Sequence, residues 1–174
     1  AATAGADILC LCDTNGGTIT ARLGEIVADV RRRFDGVIGI RAPDAFPLLG
    51  LISTLGPALA MGNTVVLVAG RGALTAAELI RVIQNSDIPA GVLNIVTASN
   101  PDGMANVLAG HKDVDAIWSF GDSKAIGEVE ARSISNMKRT HTESNMDWMG
   151  PQGASLDFFR AATQIKNIWV PYGA

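Results

Sequence analysis

Cysteine, histidine and charge are all scarce in this 174-residue chain, and each shortage narrows what it can be. There are two cysteines, Cys10 and Cys12. At a spacing of two on a strand they face the same way and do not easily bridge each other, so they read as buried thiols in a reducing compartment. The two histidines, His111 and His141, stand alone with no ligand spacing, which argues against a metal site. Charged residues make up 18% of the chain, below the usual quarter, and the net charge of −3 gives no electrostatic footprint for nucleic acid. The one basic run, Arg31-Arg32-Arg33, lies on the polar side of a helix and reads as a solvated face. No apolar run approaches the roughly 18 residues of a membrane-spanning helix. Asp7 and Asp13 bracket the first apolar stretch, which speaks against a signal peptide. The first residue is not Met, as in a fragment, a processed product or an edited chain. The expected location is cytoplasmic, with no membrane partner.

What is present is apolar. Hydrophobic residues form 48% of the sequence, and a chain of this length can bury about 70% of its unfolded surface. Short β-branched runs alternate with helical patterns. Ile8 to Cys12 is a strand, and Thr18 to Phe34 is a helix with a clean apolar stripe. Val37 to Ile40 is the next strand, followed by a helix from Pro47 to Met61 that Pro57 is expected to kink. Strands then follow at Thr64 to Val68, Val92 to Thr97 and Ala116 to Phe120. Helices fall between and after them at Thr75 to Asn85, Asp102 to Ala109 and Ser123 to Ser135. Thr75 and Glu78 have the spacing of a capping box. Five β-α repeats with continuous apolar strands imply an α/β fold, a parallel sheet covered on both faces. After Asn136 the rhythm breaks: Lys138 to Gly153 reads as a polar loop, Leu156 to Ala162 as a short helix, and Ile165 to Val170 as a last strand or extended arm.

Several isolated features have structural explanations. Asp13-Thr14-Asn15-Gly16-Gly17 could cradle a phosphate, but a plain β-α turn is the simpler reading. Asp113 and Asp115, two apart at a strand entry, read as turn and cap residues rather than an acid/base pair. Met137, Met146 and Met149 read as loop and packing residues.

Three blocks carry a resemblance. The first is Gly36-Val37-Ile38-Gly39-Ile40, then Pro43-Asp44-Ala45-Phe46-Pro47, then Pro57 to Leu67. The second is Pro89 to Thr97, and the third is Asp113 to Gly121. In order and spacing they resemble the aldehyde dehydrogenase family. Lys166 to Gly173 resembles the end of the degenerate second module of two-module members. The resemblance implies a doubly wound, Rossmann-like cofactor domain binding NAD or NADP, with Ile40, Gly121 and Asp122 against the cofactor and a C-terminal extended arm.

The departures from that pattern are specific. The family's Pro-Trp-Asn-Phe-Pro loop places an amide toward the reacting oxyanion; here Asp44 and Ala45 replace Trp and Asn, and a methyl cannot donate. The lysine that holds the cofactor ribose in the family corresponds to Val68, and the acidic position after it to Arg71. Asp122 brings negative charge to the helix start that faces the pyrophosphate. The family's Leu-Glu-Leu-Gly-Gly-Lys segment and the domain with the nucleophilic Cys have no counterpart, so no catalytic residue is assigned, and cofactor binding is expected to be weak or lost.

The first 35 residues, from Ala4 through Thr18 to Phe34, resemble a strand-loop-helix unit of the citramalate and isopropylmalate synthases, which are TIM barrels. Arg41, Ala42 and Pro43 stand where that family has its His-x-His metal pair, and one unit of eight cannot form that site. The expected organisation is therefore 1–35 as a β/α unit packed with the rest, 36–136 as the nucleotide-binding core, and 137–174 as loop, short helix and arm. Three functions follow: a non-catalytic structural or interaction module; a residual dinucleotide-binding subunit working with a separate catalytic chain; and, on residues 1–35 alone, an acyltransferase of the synthase type. Ile165, Ile168, Trp169, Val170 and Tyr172 make the arm from Gln164 to Tyr172 an expected surface for self-association or a partner protein.

Overall fold

The computed structural model describes residues 36–164. The chain divides into two units: Gly36–Ala162 is one, and the other, residues 1–35 with 163–174, is described at Thr163 and Gln164 alone. The first strand and helix, both cysteines, the arginine run, the Asp13–Gly17 turn and the arm beyond Gln164 lie outside the described residues.

Within Gly36–Ala162, β1 (Val37–Arg41), β2 (Thr64–Ala69), β3 (Leu93–Thr97), β4 (Ala116–Phe120) and β5 (Arg139–Glu143) form one sheet in the order β3-β2-β1-β4-β5. Every pairing is parallel, and Ile40 lies opposite Leu67 on one side and Trp118 on the other. The helices are α1 (Pro47–Ala60), α2 (Ala73–Ile83), α3 (Pro101–Gly110), α4 (Ser123–Ser133) and α5 (Asp157–Ala161). Parallel strands need crossovers, and the crossovers bury both faces. Ile38, Leu67 and Trp118 pack with Leu51 and Leu55 of α1, Ala76 of α2 and Phe158 of α5. On the other face Ile117 packs with Ala105 and Ala109 of α3 and Val129 of α4. The strand order reverses between β1 and β4, so the expected doubly wound fold is present. No helix among the described residues is long and apolar enough to cross a membrane.

Two local expectations need correction. Glu78 does not close a capping box: α2 begins at Ala73 behind Gly72 with no side-chain cap, and Glu78 instead bonds Arg81 at 3.3 Å. Pro57 lies within α1, which continues to Ala60. So near the C-terminal end, the missing N–H leaves a single carbonyl without its helical partner.

The second correction matters most. The stretch read as a polar loop contains β5, whose residues Arg139-Thr140-His141-Thr142-Glu143 include no aliphatic side chain. An edge strand needs only one buried neighbour, so polar residues are tolerated there. Its start is fixed by Lys138, which is buried and donates to the carbonyls of His111 (2.7 Å) and Val114. Burial lowers the Lys138 pKa, while Asp115 opposes that shift.

His141 turns inward from β5 against aromatic rings. It meets Trp118 at 5.6 Å and 70°, and Phe158 at 5.5 Å and 78°. Its Nε2 is buried without a hydrogen-bond partner, and edge-to-face geometry is the arrangement in which a ring edge meets a π face. Burial pushes the His141 pKa down, against the pull of Glu143 and Asp157, which favours the neutral ring. Phe158 also contacts Trp148 at 6.2 Å, so one side chain joins α5, β4, β5 and the segment after β5. Replacing it removes all these contacts together. Phe158→Ala is expected to cost about 3–5 kcal/mol of stability, measured by urea unfolding of the full chain. An unchanged midpoint would contradict this account of the core.

Candidate functional site at the switch point of the sheet

In an open parallel sheet, ligands bind outside the carboxyl ends of the strands where the order reverses. Here that point lies between Arg41, the last residue of β1, and Phe120, the last residue of β4. Arg41 faces away from the aromatic core, and its side chain is 4% exposed. A buried guanidinium has to have its donors met. Nε donates to Asp102 Oδ1 at 2.9 Å, in the first turn of α3. Nη1 donates to the carbonyls of Ala42 (2.6 Å) and Phe120 (3.2 Å), and Nη2 to Asp44 Oδ2 at 2.9 Å. Arg41 therefore ties together the ends of β1 and β4, the start of α3 and the loop into α1.

Asp44 has a second partner: its Oδ1 accepts the backbone N–H of Arg71 at 2.9 Å, just past β2. Burial opposes ionisation of this carboxyl. The Arg71 N–H, the Arg41 hydrogen bond and the charges of both arginines outweigh it, and the Asp44 pKa falls below the ordinary carboxylate value.

Above these groups lies a cleft of about 470 Å³. Asp44, Ala45 and Phe46 border it from β1, Arg71 from β2, Gly121 and Asp122 from β4, and Glu143 from β5. Phe46, which precedes α1, has a left-handed backbone (φ 51, ψ 58) and is 50% exposed. A bulky residue rarely adopts that conformation without enforcement from its surroundings, and strain of this kind clusters at sites.

A helix N-terminus is an anion site because its first N–H groups are free. Those of α4 are engaged: Asp122 Oδ1 accepts both Lys124 N–H and Ala125 N–H at 2.9 Å. The carboxylate occupies the place a pyrophosphate would need, so the residues present do not fit a pyrophosphate at this helix end. Arg71 differs. It is exposed, and its guanidinium makes no hydrogen bond or ion pair among the described residues.

Of the three residues assigned to the cofactor, Gly121 and Asp122 line the cleft, whereas Ile40 is wholly buried in the aromatic-side core. Val68, the ribose-lysine position, is also wholly buried, so a lysine side chain has no place there without rearrangement. Ala45 borders the cleft as a methyl. Asp115 accepts Val37 N–H at 2.7 Å, and His111 Nδ1 accepts Asp113 N–H at 3.2 Å, so these serve the strand entry and a turn. Among the described residues no three His, Cys, Asp or Glu gather for a metal ion. Sequence reasoning missed Arg41 and Glu143. The first is a charge inside an apolar strand, which is a signal in itself; the second sits on the unrecognised β5.

The lowered pKa of Asp44 has a stability consequence with a definite sign. Its charged form is bound more tightly in the folded state, so the contribution is complete above the unfolded value of about 3.9 and disappears as pH falls through the lower folded value. Asp44→Asn is therefore expected to be less stable than the parent at neutral pH, with the gap closing in acid below pH of about 4. Urea midpoints of both proteins across that range test this, and a gap independent of pH would overturn it.

The model of the aldehyde dehydrogenase family matches residues 11–145. That span takes in part of the first 35 residues and all of β5. Over 136 residues the chain is 38% identical to a mitochondrial aldehyde dehydrogenase of Leishmania tarentolae, covering 76% of this chain and 27% of that protein. It is 43% identical over 103 residues to a 2-hydroxymuconic semialdehyde dehydrogenase of Pseudomonas sp., covering 59% and 21%. The chain thus spans about a quarter of the length of the curated relatives it matches. Among solved structures, an indole-3-acetaldehyde dehydrogenase of P. syringae in complex with NAD+ and IAA is 36% identical, with a TM-score of 0.60 over 63% of this chain and 22% of that one. The sheet order and the matched span lead to one conclusion: this chain belongs to the aldehyde dehydrogenase family.

Proposed function

We propose that this chain is a cofactor-domain module of the family that is non-catalytic by itself, binds NAD or NADP weakly or not at all, and serves as a structural or interaction unit. The observation that carries this reading is the internal carboxylate on α4: Asp122 takes the two N–H groups a pyrophosphate would use. Two further features support it. Residues 36–164 contain no cysteine to act as nucleophile, and Ala45 offers no side-chain amide beside the cleft. The outward side of α1 and its entry leaves Phe46, Leu48, Leu49 and Ile52 exposed, a surface suited to contact with another protein.

Calorimetry of the full chain with NAD+ and NADP+ is expected to give affinities weaker than micromolar for both. Asp122→Ser removes the repelling charge and is expected to strengthen dinucleotide binding by about 1.5 kcal/mol or more. Sub-micromolar NAD+ binding by the unmodified chain would overturn the reading in favour of a residual cofactor-binding subunit. NADH formation from aldehydes by this chain alone would overturn its non-catalytic part.

Self-association through the arm from Gln164 to Tyr172 belongs to the same proposal. Deleting residues 164–174 is expected to lower the mass measured by light scattering at micromolar concentration. Equal masses for the truncated and intact chains, both monomeric, would remove the arm from the interface.

A further inference from the structure

The two edges of the sheet are built differently. β5 carries Arg139 and Glu143, and charges on an edge strand discourage pairing with another chain. β3, at the other edge, is Leu93-Asn94-Ile95-Val96-Thr97 and carries neither a charge nor a proline. Its register with β2 runs unbroken from Leu93 opposite Val65 to Thr97 opposite Ala69, so no bulge turns it away. Val65 N–H donates to the Val92 carbonyl at 2.8 Å. With a strand period of two, Asn94 and Val96 also bond toward β2, and Leu93, Ile95 and Thr97 aim their N–H and C=O groups outward. Those outward groups have no partner among the described residues.

An apolar groove of about 490 Å³ lies beside the same edge. It is lined by Ile80 and Ile83 of α2, Ile88 and Pro89 of the connection, and Leu93 and Ile95 of β3 itself. Apart from Pro89, which is exposed, these side chains are half-buried. No ionisable side chain lines the groove. The charges that α2 carries, Glu78 and Arg81, bond each other at 3.3 Å. Free backbone groups beside an unfilled apolar groove are the two features that receive an added strand. The ladder takes its backbone, and the groove takes its alternate side chains.

We infer that β3 is an interface with a second copy of this chain, the two β3 strands pairing antiparallel about a twofold axis at Ile95. β3 is complementary to itself in that arrangement. Ile95 lies opposite its own counterpart and Leu93 opposite Thr97 of the second copy, so every outward N–H meets an outward carbonyl. Leu93 and Ile95 pack on the side of the sheet that α2 covers, and a twofold axis across the sheet keeps that side common to both copies. The apolar groove of one copy then continues into that of the other. Charge favours this symmetric occupant. A charge close to a twofold axis meets its like, which is destabilising, and this edge has none to oppose. A foreign strand is selected by complementary charge, and the edge presents none to select with. The inference depends neither on cofactor binding nor on the C-terminal arm, and it adds a second surface to the interaction role proposed above.

The test is residue-resolved amide exchange on the full chain from micromolar to millimolar concentration, with mass read by light scattering over the same range. The mass is expected to rise toward that of a dimer. In step with it, the amides of Leu93, Ile95 and Thr97 should gain about tenfold or more protection. Asn94 and Val96, bonded to β2, should be protected at every concentration. Thr97 is exposed and ends β3. Thr97→Pro removes its outward N–H and should weaken the dimer about tenfold, whereas Thr97→Val keeps the N–H and should match the parent. Circular dichroism of both variants should match the parent, and exchange on the unmodified chain decides the matter by itself if the proline variant unfolds. A chain lacking residues 164–174 should keep the concentration-dependent protection. A monomer throughout the range overturns the inference, as does a dimer whose outward amides exchange freely or one unmoved by Thr97→Pro in its folded form. Protection that does not vary with concentration overturns it too, because the edge is then covered within one chain. Protection lost together with residues 164–174 assigns the edge to the arm and overturns it likewise.

Discussion

A guanidinium buried at the end of a parallel sheet sets a condition that several segments have to meet at once. Arg41 cannot shed its charge, and desolvating it without partners would cost several kcal/mol. Its partners come from the first turn of α3, the end of β4 and the loop into α1, which the sequence separates by up to 79 positions. The constraint is geometric as much as energetic. Donors fixed in one plane accept only one arrangement of Asp102, Phe120 and Asp44, so the switch point of the sheet is fixed by the same contact that occupies it.

The consequence reaches Arg71. Asp44 can accept from Arg71 N–H only where Arg41 leaves it, and Gly70 is the residue that lets the carboxylate approach. Asp44 and Arg71, which look like separate departures from the family pattern, thus form one interacting set with Arg41. Substituting Arg41 or Asp44 alone would leave a charge with fewer partners, whereas the N–H at position 71 remains when its side chain is changed. This is the kind of coupling in which single-site effects do not add.

The parts of the fold that the sequence revealed are those where burial writes a pattern. β1, β2 and β4 are central strands with apolar residues on both faces, and their runs were unmistakable. The structure adds the caps of α3 and α4: Asn100 Oδ1 accepts Gly103 N–H at 2.9 Å, and Asp122 caps α4. β5 was illegible because an edge strand can be stable while polar. Its inward aromatic-side ring is a histidine whose pKa burial lowers, and a hydropathy pattern counts it as polar. Thr75 and Glu78 failed as a capping box for a different reason: the tight loop at Gly72 starts α2 before Thr75 is reached. In the site, Asp122 was recognised as a charge at the anion end, but the sequence could not say that its carboxylate turns back onto the helix. That distinction decides whether the charge merely repels a phosphate or stands in its place.

Capping and repulsion have different physical ranges. A repelling charge at an exposed helix end is screened by salt and can be overcome by a tighter ligand contact elsewhere. A carboxylate bonded to two N–H groups has to be displaced, and both donors must be transferred to the incoming oxygen before any gain appears. At the border of this cleft the first N–H groups of α4 are therefore internally satisfied.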